Sequence, residues 1–174
     1  MKSMNIVRKV LFVLFTSLLL IGCGYKPATQ YAKEQLPGTV FVKLFVDLKD
    51  PRNAVIIKDS INQILIQKLD KKLVYDEKLA NTVMKLKIGS VSMKELQYDK
   101  DGYNKLYKAV VSLAVQYTDK NNKLRNFNLS GEHNFSIDDG TTITDTKRFE
   151  AIKNAADDAM DDFLSKVAIE SFRK

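Results

Sequence analysis

One cysteine, Cys23, and one histidine, His133, are all the soft-ligand and thiol chemistry that this chain of 174 residues carries. A single Cys cannot close an internal disulfide, and one Cys with one His falls short of the three or four ligands that a protein zinc or iron–sulfur site needs. His133 has no Ser, Cys or second His nearby in sequence to form a relay. It falls in phase with apolar neighbours, which reads as a half-buried structural histidine. Asp157, Asp158, Asp161 and Asp162 put carboxylates at i and i+4 on one helix face. A divalent cation prefers a shaped loop with several oxygen ligands, so a solvated acidic face is the better reading. Neither GxGxxG nor GxxxxGK[ST] occurs, so no glycine loop cradles a phosphate. No cofactor, metal or catalytic set is expected, and the common metal and thiol enzymes fall away. The remaining chemistry is cationic. Lys94, Lys100 and Lys105 lie at or beside an expected hairpin, and Lys147 with Arg148 opens the last expected helix. If the fold brings the two groups to one end, a bisphosphorylated or otherwise anionic ligand would find several cations there. The plain alternative is a set of independent solvated lysines.

Cys23 has a setting of its own. Residues 1–22 have the three parts of a secretory signal: basic Lys2, Arg8 and Lys9, an apolar run from Val10 to Ile21, and the small Gly22. The run is short for a bilayer span. It ends in Leu20-Ile21-Gly22-Cys23, which resembles the lipobox of bacterial lipoproteins, where the cysteine sulfur receives a diacylglyceryl group and the signal is cut before it. That resemblance makes Cys23 a lipid anchor and not a nucleophile. Several acyl chains hold a protein firmly, whereas one binds only marginally. Gly24, where an Asp would mark inner-membrane retention, implies the outer membrane. An ordinary cleaved signal or an uncleaved anchor are the alternatives.

With 45% hydrophobic and 28% charged residues but only 7 Gly and 3 Pro, the chain has the composition of one packed domain. The formal net charge of +7 is unevenly spread: residues 23–131 carry eight more basic than acidic side chains, and residues 132–174 four more acidic than basic. A basic surface suits an anionic partner. Nucleic acid is not expected, because no helix-turn-helix, finger or RNA-binding motif accompanies the charge.

The elements that must position these residues follow from periodicity. Lys26 to Pro37 is polar and holds two of the three prolines, which predicts a tether. Val40, Val42, Leu44, Val46 and Leu48 alternate as in a strand, and Asp50-Pro51 reads as a helix start before Ala54, Ile57, Ile61, Ile64, Leu65 and Leu69 at spacings of three and four. Met84, Leu86 and Ile88 keep one parity while Val91 and Met93 take the other, so a β-bulge is expected at Gly89-Ser90. Asp101-Gly102 marks a hairpin. Tyr107 to Tyr117 and Phe127 to Ile137 make two further alternating strands. A last helix, capped near Thr144 or Asp145, presents Phe149, Ile152, Ala156, Ala159, Phe163 and Val167. The expected order β-α-β-β-β-α assembles as an α+β two-layer sandwich, two helices on a four-stranded mixed sheet, its first two strands parallel. The division is then a signal peptide over 1–22, a lipidated tether over 23–37 and one domain over 38–174.

Taken together, Cys23-Gly24-Tyr25, the strand Leu86 to Ser92, the Gly102 hairpin leading into Tyr107 to Leu113, and a last helix running through Ala155 to Val167 resemble the lipopolysaccharide-assembly lipoproteins, the LptE family. The resemblance implies a non-enzymatic protein that plugs an LptD-type outer-membrane barrel, helps it assemble and engages lipopolysaccharide on its way to the cell surface. Its domain would face the periplasm inside the barrel, tethered to the membrane by the lipid. Lys100 falls where the family tends to place a basic residue for the ligand. Thr144 falls near a second such position, with Lys147 and Arg148 a few residues on. A pilotin-like lipoprotein chaperone for a secretion pore is the alternative from another class, and an envelope hydrolase lacks a triad or metal set.

Overall fold

The computed structural model describes residues 27–45, 51–98, 100, 102, 104–138 and 141–172. The signal segment, Cys23, Val46 to Asp50 and Asp101 lie outside them. The elements are helix α1 (Ala28–Gln35), strand β1 (Val40–Phe45), helix α2 (Pro51–Gln67), a 3-10 turn (Glu77–Leu79), strands β2 (Thr82–Tyr98), β3 (Asn104–Thr118) and β4 (Leu124–Ser136), and helix α3 (Asp145–Phe172). The strands form one sheet in the order β1-β2-β3-β4. β1 runs parallel to β2 and the other neighbours are antiparallel. This is the expected α+β fold with a mixed sheet, carrying three helices instead of two.

Period-two alternation sets the inner face. Ala109, Val111, Leu113, Val115 and Tyr117 of β3 are buried against the helices, whereas Lys108, Ser112, Ala114 and Gln116 point the other way and are less covered. The register of β2 against β3 slips between Ile88 and Ser90, where the parity change places a bulge. Met84 and Leu86 before it and Val91 and Met93 after it therefore stay with the core. On α2 the apolar positions Ala54, Ile57, Ile61, Ile64 and Leu65 are all buried, as the spacing predicts.

Two findings correct the sequence expectations. Lys26 to Pro37 reads as a tether, yet residues 28–35 are helical and Ala32 and Leu36 are fully buried. α1 lies on α3, and Lys33 forms an exposed ion pair with Asp70 at 2.7 Å. Gly38, with φ of +60°, turns the chain from α1 into β1 at a point where a Cβ would stand 2.1 Å from Asn81 Oδ1. That same oxygen accepts a hydrogen bond from the Thr39 amide at 2.9 Å. Phe149 was expected in the core stripe of α3 but is 49% exposed. It sits one turn before Ile152, at the helix start, and lines a surface cleft.

α3 crosses β4 backbone to backbone. A Cβ at Gly131 would lie 2.0 Å from the Ala155 carbonyl oxygen and 2.3 Å from the Ala159 nitrogen, so glycine on the strand and alanines on the helix make the approach possible. β4 is an edge strand, and side chains of α3 reach three of its backbone groups. The Glu132 amide donates to Asp158 Oδ2 at 2.9 Å, and Lys166 and Lys147 donate to the carbonyls of Asn128 (2.8 Å) and Ser136 (3.2 Å). Engaging these groups blunts the edge as a template for pairing with another chain. The acids expected as a solvated face are thus partnered. Asp157 accepts from Ser60 and from Lys153, Asp161 pairs with Lys68, and Asp162 pairs with Lys166.

Candidate functional site: the basic hairpin end

The β2–β3 hairpin carries the cationic residues singled out in the sequence. Lys94 stands opposite Lys108 in the β2–β3 register, and Lys108 forms an ion pair with Glu132 on β4. The Lys108 ammonium bonded to it, with Lys94 beyond, holds the Glu132 carboxyl below its ordinary value. Lys100 is exposed in the turn, where Gly102 takes φ of +84° with open space around it. Lys105 is exposed at the start of β3, and its carbonyl accepts from the Ile137 amide at 3.1 Å.

The start of α3 reaches the same end. Thr144 is its N-cap, its hydroxyl accepting from the Lys147 amide at 3.3 Å, while Asp145 places a negative charge in the first turn. Lys147 Nζ reaches the Ser136 carbonyl, next along the strand to Ile137. The backbone segments that carry Lys105 and Lys147 therefore meet at the end of β4. Arg148, one residue on, is placed differently: it lines a cleft of about 450 Å³ between the starts of α2 and α3, together with Arg52, Asn53, Ile56 and Phe149.

Lys94, Lys100, Lys105 and Lys147 therefore share the hairpin end of the sheet, and Arg148 belongs to the helix side of it. Arg52 was not singled out in the sequence. It stands across the cleft from Arg148, 96 positions away, and no local pattern joins the two. His133 is half-buried with its Nε2 3.3 Å from Asn154 Nδ2. Among the described residues no cluster of three or more His, Cys, Asp or Glu could hold a metal ion. The arrangement suits recognition of extended negative charge. Exposed ammonium groups contribute little to folding and much to encounter with an anion.

The opposite end differs in character. Asp119, only 2% exposed, accepts from the Asn121 and Lys123 amides at 2.8 and 3.0 Å and from Arg125 Nε at 2.7 Å. Burial works to raise its carboxyl pKa, but the Arg125 bond and the two amides together hold it below the ordinary value. Arg125 also reaches Glu170 near the end of α3 at 2.6 Å. Beside them Tyr117, Phe127 and Phe163 form an aromatic trio with centroids 5.7 to 6.2 Å apart.

Solved structures share this fold. A lipoprotein candidate from Caulobacter crescentus CB15 aligns over 84% of this chain and 97% of its own, with a TM-score of 0.52 at 10% identity. Uncharacterized lipoprotein B from Nitrosomonas europaea aligns over 85% of this chain and 92% of its own, with a TM-score of 0.50 at 15% identity. At these identities the likeness is one of fold. No curated protein matches significantly by sequence. The model of the family described as LptE, lipopolysaccharide-assembly, matches residues 41–167, from β1 through most of α3. The chain therefore belongs to the LptE lipopolysaccharide-assembly family.

Proposed function

We propose that this chain is an outer-membrane lipoprotein, held to the bilayer by acyl chains on Cys23, whose domain plugs and helps assemble an LptD-type barrel and engages lipopolysaccharide in transit. The observation that carries the reading is the family match across residues 41–167. The role is one of binding and assembly, in keeping with the family, and not of catalysis. Among the described residues no helix is long and apolar enough to cross a membrane, and in this reading the lipid on Cys23 supplies the anchor. The side of the sheet away from the helices is largely Ser, Asn, Gln and Lys, chemistry compatible with a hydrated lumen. Lys94, Lys100, Lys105 and Lys147 at the hairpin end, with Arg148 beside Arg52, are the groups proposed to meet the phosphates of the glycolipid.

Purification of the full chain from solubilised outer membranes tests the partner. A stable one-to-one complex with an LptD-type barrel is expected, and recovery with a secretin instead would move the assignment to a pilotin. Mass spectrometry of the same preparation should show an N-terminal acylated Cys23, and an unmodified thiol there would remove the anchor from the reading. Lipopolysaccharide binding by the detergent-solubilised chain should weaken in K100E/R148E. Raised salt should bring the wild type toward the variant, because exposed charges are screened over about 8 Å at physiological ionic strength. Unchanged affinity in the folded variant would leave these residues a solvated surface.

A further inference from the structure

A second basic feature lies on the open face of the sheet, away from the hairpin end. A groove of about 540 Å³ runs across β2, β3 and β4 and is bounded at one side by Phe45 of β1. That volume falls in the range of small-ligand sites, about 300–1,000 Å³. Lys85 and Lys87 line it, and among the described residues neither makes an ion pair or a side-chain hydrogen bond. Flanking lysines of the same face do have acidic partners: Lys43 pairs with Glu77 and Lys108 with Glu132. Being two residues apart on a strand, Lys85 and Lys87 project to the same side roughly 7 Å apart.

The floor opposite them is amide-rich. Gln116 Nε2 donates to Asn126 Oδ1 at 2.8 Å across the β3–β4 pair, which leaves Gln116 Oε1 and Asn126 Nδ2 without a partner among the described residues. The Asn128 side chain is likewise unspent there, and Ala114 between them leaves the floor open. Adjacent amide donors and acceptors match neighbouring hydroxyl groups, which both donate and accept. Phe45 is 50% exposed at the rim and offers an apolar face to the C–H side of a sugar ring. A peptide strand is a poorer fit, because β2 and β3 have neighbours on both sides and spend their backbone groups in the ladders.

We infer that this groove is a site for a phosphorylated sugar, its anionic group held between Lys85 and Lys87 and its hydroxyls by Gln116, Asn126 and Asn128. The site is separate from the hairpin end: Asn128 and Asn134, the latter in register with Lys108, are six residues apart on β4, about 20 Å. It does not rest on the barrel partnership.

The test is amide-resolved NMR titration of the full chain in detergent micelles with mannose 6-phosphate, mannose, inorganic phosphate and triglutamate. Mannose 6-phosphate is expected to shift the amides of residues 85–87, 114–116 and 126–128, and to bind at least tenfold more tightly than the other three probes. K85A/K87A should lose binding tenfold or more with its spectrum otherwise intact. F45A should weaken mannose 6-phosphate several-fold and leave inorganic phosphate unchanged. K58A, on the exposed side of α2 and outside both the groove and the hairpin end, should bind as the wild type does. Equal binding of phosphate or triglutamate would overturn the sugar assignment. Shifts confined to residues 94–108, or binding untouched in K85A/K87A, would overturn the site.

Discussion

The two ends of the long strands are built on opposite terms. At the β3–β4 turn, charge is buried and saturated: Asp119 accepts three hydrogen bonds and Arg125 ties the turn to Glu170 on α3, beside the Tyr117–Phe127–Phe163 trio. At the β2–β3 turn, Lys94, Lys100, Lys105 and Lys147 are exposed, and the apolar residues Leu96 and Tyr98 are 45% and 56% exposed. Covered backbone and buried, paired charge resist opening, whereas an uncovered hairpin with exposed side chains opens more readily. One sheet thus separates buried, paired charge from exposed charge along the length of its strands.

The largest effect is expected where the core begins. Val111 is fully buried and pairs with Val91 and Gly131, so Val111→Asp places an unpartnered charge under α3. The loss should be several kcal/mol, enough to unfold a domain of ordinary stability, about 5–15 kcal/mol. Ser112→Asp, facing the other side, should keep a cooperative melt by circular dichroism. Equal tolerance of the two substitutions would show that the strand phase is wrong.

At the closed end, Asp119→Ala removes the acceptor of two amides and one guanidinium, leaving Arg125 to Glu170 alone. Chemical denaturation should show a loss of about 2–3 kcal/mol. A change within 0.5 kcal/mol would mean that the turn is not the clamp described.

Acid should act on the same clamp. The carboxyls of Asp119, of Asp70, chiefly by its hydrogen bond from Lys33, and of Glu132, chiefly by that from Lys108, are each held below their ordinary values, 3.8 for the aspartates and 4.5 for the glutamate. The unfolded chain therefore binds these protons more readily. The stabilisation is complete above the ordinary carboxyl values and is lost as pH falls below about 4 through the folded-state values. Melting temperature should drop over that range, and Asp119→Asn should flatten the drop more than Asp70→Asn, whose carboxylate is exposed.

The smallest effect on folding belongs to the open end. Lys100→Glu should change stability by no more than about 0.5 kcal/mol, as for an exposed residue without a buried partner. A large loss of stability there would erase the contrast between the two ends.

Much of this division is local and so was legible in the chain. Alternation along Tyr107 to Tyr117 assigns the buried side of β3, because successive side chains in a strand point to opposite faces whatever the strand packs against. The parity slip at Gly89-Ser90 announces its bulge for the same reason, and the three-and-four spacing of Ile57, Ile61 and Ile64 defines the covered face of α2. The candidate cations were legible as residue types on a turn and at a helix start, since lysine clusters are visible wherever they fall.

What only the tertiary structure decided lies between residues far apart in sequence. Residues 28–35 hold few apolar side chains, and as a helix they owe their place to the burial of Ala32 and Leu36 beside α3. Gly131 looks like any strand glycine until Ala155 and Ala159 approach it. Asp158 and Lys166 read as solvated until the open edge of β4 presents an amide and a carbonyl to them. Arg52 and Arg148 share a cleft, and Lys87 and Asn128 a groove, only because helices and strands are docked in one particular way. Periodicity acts within a few residues and specifies faces. The partners of those faces are set by long-range packing, which no local pattern encodes.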